Sequence, residues 1–143
     1  MIAGKPLDFR PGARWKYSNS GNAVLGFVIE LVNRQDYGTF LRQQILDPLG
    51  LRDTGWVADP RDRLSLATGY EKWSTAVRLP EDPVTVGYAV GGVYSTVTDL
   101  ARWNSFLLTT RPPIVSGETL AQLLRPRVET DKLDHYGYGT YIG

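Results

Sequence analysis

The sequence predicts a mostly α protein with a few strands, and three observations carry that reading. Apolar residues recur at helical spacing in four stretches: Val24, Phe27, Val28, Leu31 and Val32; Tyr37, Phe40, Leu41 and Ile45; Leu100, Trp103, Phe106 and Leu107; and Leu120, Leu123 and Leu124. Strand signals are fewer. Aromatic and small residues alternate from His135 to Gly143, and a shorter candidate lies around Ala67 to Lys72. Proline and glycine cluster between these stretches, at Pro11-Gly12, at Pro48-Leu-Gly and through Asp59 to Pro83.

In chain order, Met1 to Asp8 offers nothing that could build an independent element, and Pro11-Gly12 reads as a turn. Trp15, Tyr17 and Asn19 share one parity, so an extended backbone would point them to one side and hold a phenol and a carboxamide together. Ser18 and Ser20 can cap a first helix that begins at Ser20 or Gly21. Leu25 and Ile29 widen its apolar surface, so this helix is expected to be largely buried. Gly26 in its interior costs roughly 1 kcal/mol against alanine, which implies that another element packs closely there. The second helix spans Tyr37 to Leu46 and stops at Asp47-Pro48, because proline disfavours helix in the residue before it. Asp59 to Pro83 reads as a long ordered loop, a usual wall of a site. Thr98 is the expected N-cap of the third helix, which stops near Thr109 to Pro113, and Ser116 caps the short fourth. The last stretch reads as one strand with close backbone approach at its glycines.

The 143 residues suffice for about one domain with a sizeable core. A 42% apolar share and a formal net charge of +1 describe an ordinary globular protein and give no reason to expect nucleic acid as a partner. The absence of cysteine excludes disulfides and thiolate metal sites but leaves the compartment open. The longest apolar run, Ala23 to Val32, is interrupted by Gly26 and Glu30 and is too short to span a bilayer.

The run from Phe9 to Gly21, continued by Val24-Leu-Gly-Phe-Val-Ile-Glu, resembles the second catalytic motif region of the serine β-lactamase and penicillin-binding-protein superfamily. The nearest branch is the class C β-lactamase, D-aminopeptidase and esterase group. A Tyr-Ser-Asn triplet alone is weak; the Pro-Gly before it and the Gly-x-x-x-x-Gly helix after it make the combination specific. Further on, Pro48-Leu-Gly-Leu-Arg-Asp-Thr-Gly resembles the family's Pro-Leu-Gly-Met-x-x-Thr run, with Leu51 where methionine is common. Gly91-Gly-Val-Tyr-Ser-Thr-Val-Thr-Asp-Leu resembles its Gly-Gly-x-x-Ser-Thr-x-x-Asp-Leu segment, and Tyr136-Gly-Tyr-Gly its Tyr-Gly-x-Gly strand. The resemblance implies the helical portion of the α/β β-lactamase/DD-peptidase-like fold. It also implies acyl-serine hydrolysis of a β-lactam, D-amino peptide or ester in full-length relatives, with no cofactor. It assigns Tyr17 as general base or proton relay, and Asn19 as the side chain that hydrogen-bonds the substrate amide and a catalytic lysine.

That chemistry needs a serine nucleophile with a lysine three residues later. Lys5, Lys16, Lys72 and Lys132 are preceded at that spacing by Ile2, Ala13, Gly69 and Glu129, so no Ser-x-x-Lys exists here. The chain is therefore expected to be a single truncated domain, the central segment of such a hydrolase, and inactive alone. The alternatives are one half of a split hydrolase completed by a partner chain, and a non-catalytic binding or interaction module. A homo-oligomer is also expected, with the C-terminal strand pairing across the contact. A free phenol titrates near 10, so a tyrosine base acting near neutral pH needs cationic neighbours. His135-Tyr136-Gly137 fits the family's third motif formally, but the overlapping Tyr-Gly-Tyr-Gly fits the preceding strand better. Asp131, Asp134 and His135 make a poor metal-ligand set and read as a solvated turn. Ser95-Thr96 reads as a cap and turn.

Overall fold

A computed structural model describes residues 4–56, 67, 88–110, 113–130 and 134–143. The order of elements is helical first: α1 (Asn19–Asn33), α2 (Tyr37–Leu41) continued by a π-helical turn (Arg42–Leu46), then β1 (Gly55–Trp56), β2 (Val93–Tyr94), α3 (Val97–Leu108), α4 (Gly117–Leu123), β3 (Val128–Glu129), β4 (His135–Tyr136) and β5 (Tyr141–Ile142). The strands form an antiparallel pair β1-β2 and an antiparallel sheet β3-β4-β5. The mostly α expectation with few strands holds. The expected strand around Ala67 to Lys72 falls, apart from Ala67 itself, outside the described residues, as does most of the Asp59 to Pro83 loop.

Ser18, in extended backbone at φ −143° and ψ 106°, caps α1 by accepting from Gly21 N at 3.0 Å. The helix ends at Arg34, which adopts φ 55° so that its N–H closes onto Glu30 O at 2.7 Å. Asp36 then caps α2 through Thr39 N at 2.9 Å, and Glu30 Oε1 accepts from Tyr37 N at 2.9 Å, so two N–H groups of the first turn of α2 point at carboxylates. The second helix is not uniform as the periodicity implies: from Arg42 it widens, and Asp47 N bonds Arg42 O at 2.9 Å. This wide turn brings Leu46 into the core, where Leu46, Leu51, Phe106 and Leu120 are buried.

Gly26 is the buried residue of α1, and Tyr88-Ala89 pack across it. The expectation that α1 is largely buried fails. Val24, Leu25, Phe27, Val28, Leu31 and Val32 are all exposed, with Leu31 at 78%. Periodicity shows which side is apolar, but the described elements pack on α1 at Gly26 and against the Phe27 ring and leave the rest of that side open. The third helix is capped by Thr96, two residues earlier than expected: its Oγ1 accepts from Asp99 N at 3.3 Å. With Thr98 as cap, Asp99 would be the first helical residue; with Thr96 it is the third, and its carboxylate turns back beneath the helix start. Ser116 caps α4 as expected, accepting from Thr119 N at 3.1 Å.

The single C-terminal strand is also corrected. The chain reverses after Tyr136, with Gly137 N on Thr140 O at 2.8 Å and Gly139 at φ +82°, so the stretch is a hairpin pairing Tyr136 with Tyr141. Gly139 supplies the positive φ that a side chain resists. Gly137 does meet backbone closely, since a Cβ there would lie 2.9 Å from Leu123 O.

The polar centre is Asp99, at 0% exposure. Its Oδ2 accepts from Asp53 N at 2.8 Å and Thr54 Oγ1 at 2.9 Å, and its Oδ1 from Arg102 at 2.5 Å. Burial pushes the carboxyl up, but the Thr54 hydroxyl, the Asp53 N–H and the Arg102 guanidinium together outweigh it and hold the group below its ordinary 3.8.

Two outcomes follow. A methyl at Gly26 would sit 2.6 Å from Ala89 Cβ and 2.7 Å from Tyr88 Cε1, so Gly26→Ala should destabilise by about 1–3 kcal/mol despite its helix propensity. Gly21→Ala meets nothing closer than 3.5 Å and should be neutral or stabilising; denaturant unfolding of the pair separates packing from propensity. For Asp99, a depressed folded value means its contribution is complete above the ordinary value and is lost as pH falls through the lowered one. Denaturation midpoints taken from about pH 6 to pH 2 should therefore fall steeply in the wild type and more shallowly in Asp99→Asn, which starts less stable.

Candidate active site

The candidate residues sit where an irregular segment enters α1. Tyr17 is half exposed, and Ser18 is the last extended residue before the helix. Asn19 is exposed and already helical, so the alternation of Trp15, Tyr17 and Asn19 breaks at the last member. The two side chains share the mouth of α1 rather than one face of an extended strand. The cations nearest in sequence are engaged within the segment: Lys16 binds Asp8 at 2.5 Å, and Arg14 lies over the Phe9 ring at 5.1 Å.

Beside this segment stands the C-terminal hairpin. The Trp15 indole lies 5.3 Å from the Tyr136 ring and 6.0 Å from that of Tyr141, and the two tyrosines meet edge-on at 4.9 Å. The Tyr136 phenol is raised above its ordinary value by burial, and further by Tyr17 and Tyr141. Tyr17 therefore stands within electrostatic reach of Tyr136. Sequence reasoning missed this aromatic group, since residues 15 and 136 are brought together only by the fold.

A second aromatic group joins Phe27, Tyr37, Trp56 and Tyr88, with centroids 4.9–6.3 Å apart. The Tyr88 hydroxyl is buried without a hydrogen-bond partner. Burial and the nearby Glu30 carboxylate, which lies short of bonding geometry, push it up to about 12. Such a phenol stays neutral near pH 7 and is packing rather than a base.

The other residues weighed from sequence fall away from this site. Ser95 Oγ lies 2.8 Å from Thr54 Oγ1, whose proton goes to Asp99, so Ser95 donates into that chain and is a structural hydroxyl. It lines an apolar cleft of about 270 Å³ between the π-helical turn and α3, whose floor polar groups already bond one another. His135 is exposed on β4, paired across to Glu129 and Ile142. Asp131 lies outside the described residues, and among the described residues no cluster of three or more His, Asp or Glu gathers to hold a metal. Among them, too, no helix is long and apolar enough to cross a membrane.

Comparison with known proteins places this geometry. A family profile described as Beta-lactamase matches residues 1–142. The chain is 28% identical over 113 residues to Beta-lactamase-like protein 2 of Dictyostelium discoideum, covering 77% of this chain and 20% of that protein. It is 32% identical over 117 residues to Putative beta-lactamase-like 1 of Homo sapiens, covering 81% and 21%. It thus spans about a fifth of the length of these relatives. The octameric penicillin-binding protein homologue from Pyrococcus abyssi superposes with a TM-score of 0.81 at 27% identity, over 92% of this chain and 30% of that one. The helical order, the capped entry to α1 and the match along nearly the whole sequence make this chain a member of the Beta-lactamase family, with the β-lactamase and penicillin-binding-protein fold.

Proposed function

We propose that the chain supplies the proton-handling part of an acyl-serine hydrolase and not its nucleophile. Tyr17 acts as general base or proton relay, and Asn19 hydrogen-bonds the substrate amide. The serine and its lysine come from another stretch of polypeptide, because no Ser-x-x-Lys exists in these 143 residues. The observation that carries the reading is the exposure of both Tyr17 and Asn19 at the capped mouth of α1, in a chain matched to this family along residues 1–142. Relatives include an esterase of Burkholderia gladioli and a putative D-alanyl-D-alanine carboxypeptidase of Escherichia coli, which supports an ester or D-amino amide as the substrate class.

Labelling with a tagged β-lactam or fluorophosphonate, read by intact mass, tests this. The isolated chain should stay unlabelled. Joined to a Ser-x-x-Lys segment from a family member, it should support labelling of that segment's serine, and Tyr17→Phe should slow labelling by about 10²–10⁴-fold. Label on a serine of this chain, or an unchanged rate in Tyr17→Phe, would overturn the proposal.

A second reading, an interaction module or a chain completed by a partner, is favoured by the exposed apolar side of α1, with Leu25, Leu31 and Val32 each more than 60% exposed. Among the described residues β5 has β4 on one side only, which leaves a strand edge for pairing. We propose a homo-oligomer formed through these surfaces, and the P. abyssi homologue, described as octameric, supports it. Sedimentation at low micromolar concentration should show assembly. A compact monomer that unfolds cooperatively would contradict it.

A further inference from the structure

We propose that Trp15 is the positioning residue for Tyr17: its indole, seated against both rings of the Tyr136–Tyr141 cross-strand pair, holds the backbone that carries the Tyr17 phenol against the C-terminal hairpin. Only the use of this placement in a reaction rests on the reading of Tyr17 as the proton-handling residue. The placement itself does not.

The segment's own bonds do not fix it against the hairpin. Between Ala13 and Ser18 the backbone belongs to no helix or strand. The Lys16–Asp8 pair, the Arg14–Phe9 stack and the Ala13 N to Arg10 O bond all join residues within 8–16, so they stiffen the segment but travel with it. The ion pair is exposed and weak. Ser18 fixes where α1 starts, and sets no distance to the hairpin. Among the described residues, the ring contacts from Trp15 to Tyr136 and Tyr141 are what join this segment to β4 and β5.

Those contacts are well suited to positioning. Tyr136 and Tyr141 face each other across the β4–β5 ladder, so they form one rigid platform rather than two mobile side chains. The indole meets one ring tilted at 49° and the other edge-on at 74°, which limits both sliding and rotation. Trp15 is two residues from Tyr17, so seating the indole restrains the backbone from which the phenol projects. The groups that face Tyr136 electrostatically are Tyr17 and Tyr141. Burial and these two phenols hold Tyr136 above its ordinary value.

The test is tyrosine ring ¹³Cζ NMR titration of this chain, with Tyr136 assigned from Tyr136→Phe. In the wild-type background Tyr17→Phe removes an upward push and should lower the Tyr136 midpoint by a few tenths of a pH unit. In Trp15→Ala and in Trp15→Leu, which keeps much of the apolar volume, that effect of Tyr17→Phe should vanish; in Trp15→Phe it should persist. Helical circular dichroism reports whether each variant stays folded. An effect that survives in folded Trp15→Ala or Trp15→Leu would overturn the proposal, as would its absence in the wild-type background. Loss of the helical signal in both Trp15→Ala and Trp15→Leu would also count against it, since a positioning residue leaves the helices standing. None of these readouts involves acylation, so failure of the hydrolase reading and failure of the positioning role are separately visible.

Discussion

The buried carboxylate of Asp99 is the constraint on which the described structure most depends. It joins stretches 45 and 46 residues apart by accepting from Thr54 Oγ1 and Asp53 N, and it does so from the first turn of α3. A buried charge is tolerated only when hydrogen bonds replace its water, and here three donors do so. The surrounding geometry is consistent with that requirement. Thr96 rather than Thr98 must cap α3 so that Asp99 occupies the third helical position, and Ser95 is drawn onto Thr54. The pairing of Gly55 with Tyr94 and Trp56 with Val93 then lies one step beyond the knot. The chain after Leu46 is folded back toward α3, and Leu46 and Leu51 line the cleft beside Asp99.

The aromatic contacts act at the next level. Phe27, Tyr37, Trp56 and Tyr88 hold α1, α2 and β1 to one another, with Gly26 leaving room for Tyr88. Trp15, Tyr136 and Tyr141 hold the segment that leads into α1 against the last hairpin. Tyr17 thus lies two residues after an indole seated on the hairpin and one residue before the Ser18 cap of α1. The nucleophile the hydrolase reading needs lies in none of these elements.

Much of this was legible in the sequence, and the failures have physical reasons. Four helices declared themselves by apolar spacing, and the Ser18 and Ser116 caps by hydroxyls ahead of those stretches. The motif residues Tyr17 and Asn19, and the need for close packing at Gly26, were also readable. Thr96 and Thr98 are both good caps by residue type, and only the distant demand of Asp53 and Thr54 on Asp99 decides between them. The pattern Thr96-x-x-Asp99 resembles a capping box and could have signalled the earlier start. The hairpin has the pattern of one strand because its tyrosines alternate with glycines. By residue type Gly139 is indistinguishable from a close-approach glycine such as Gly137, and only the fold gives it a positive φ. Apolar periodicity in α1 revealed a sticky side and said nothing of what covers it. The Trp15 clamp left no local trace, because its partners are more than a hundred residues away.

Native-state hydrogen exchange at the Asp53 amide tests the central role of Asp99 most directly. Asp53 is an exposed residue in a turn, where an ordinary amide exchanges within the fast loop class. If the Asp99 carboxylate is the knot described here, the Asp53 N–H should exchange only with global opening, in step with core helical amides such as that of Phe106. Exchange of Asp53 at loop rates, while Phe106 stays protected, would mean that the helices stand without the knot and would contradict the account.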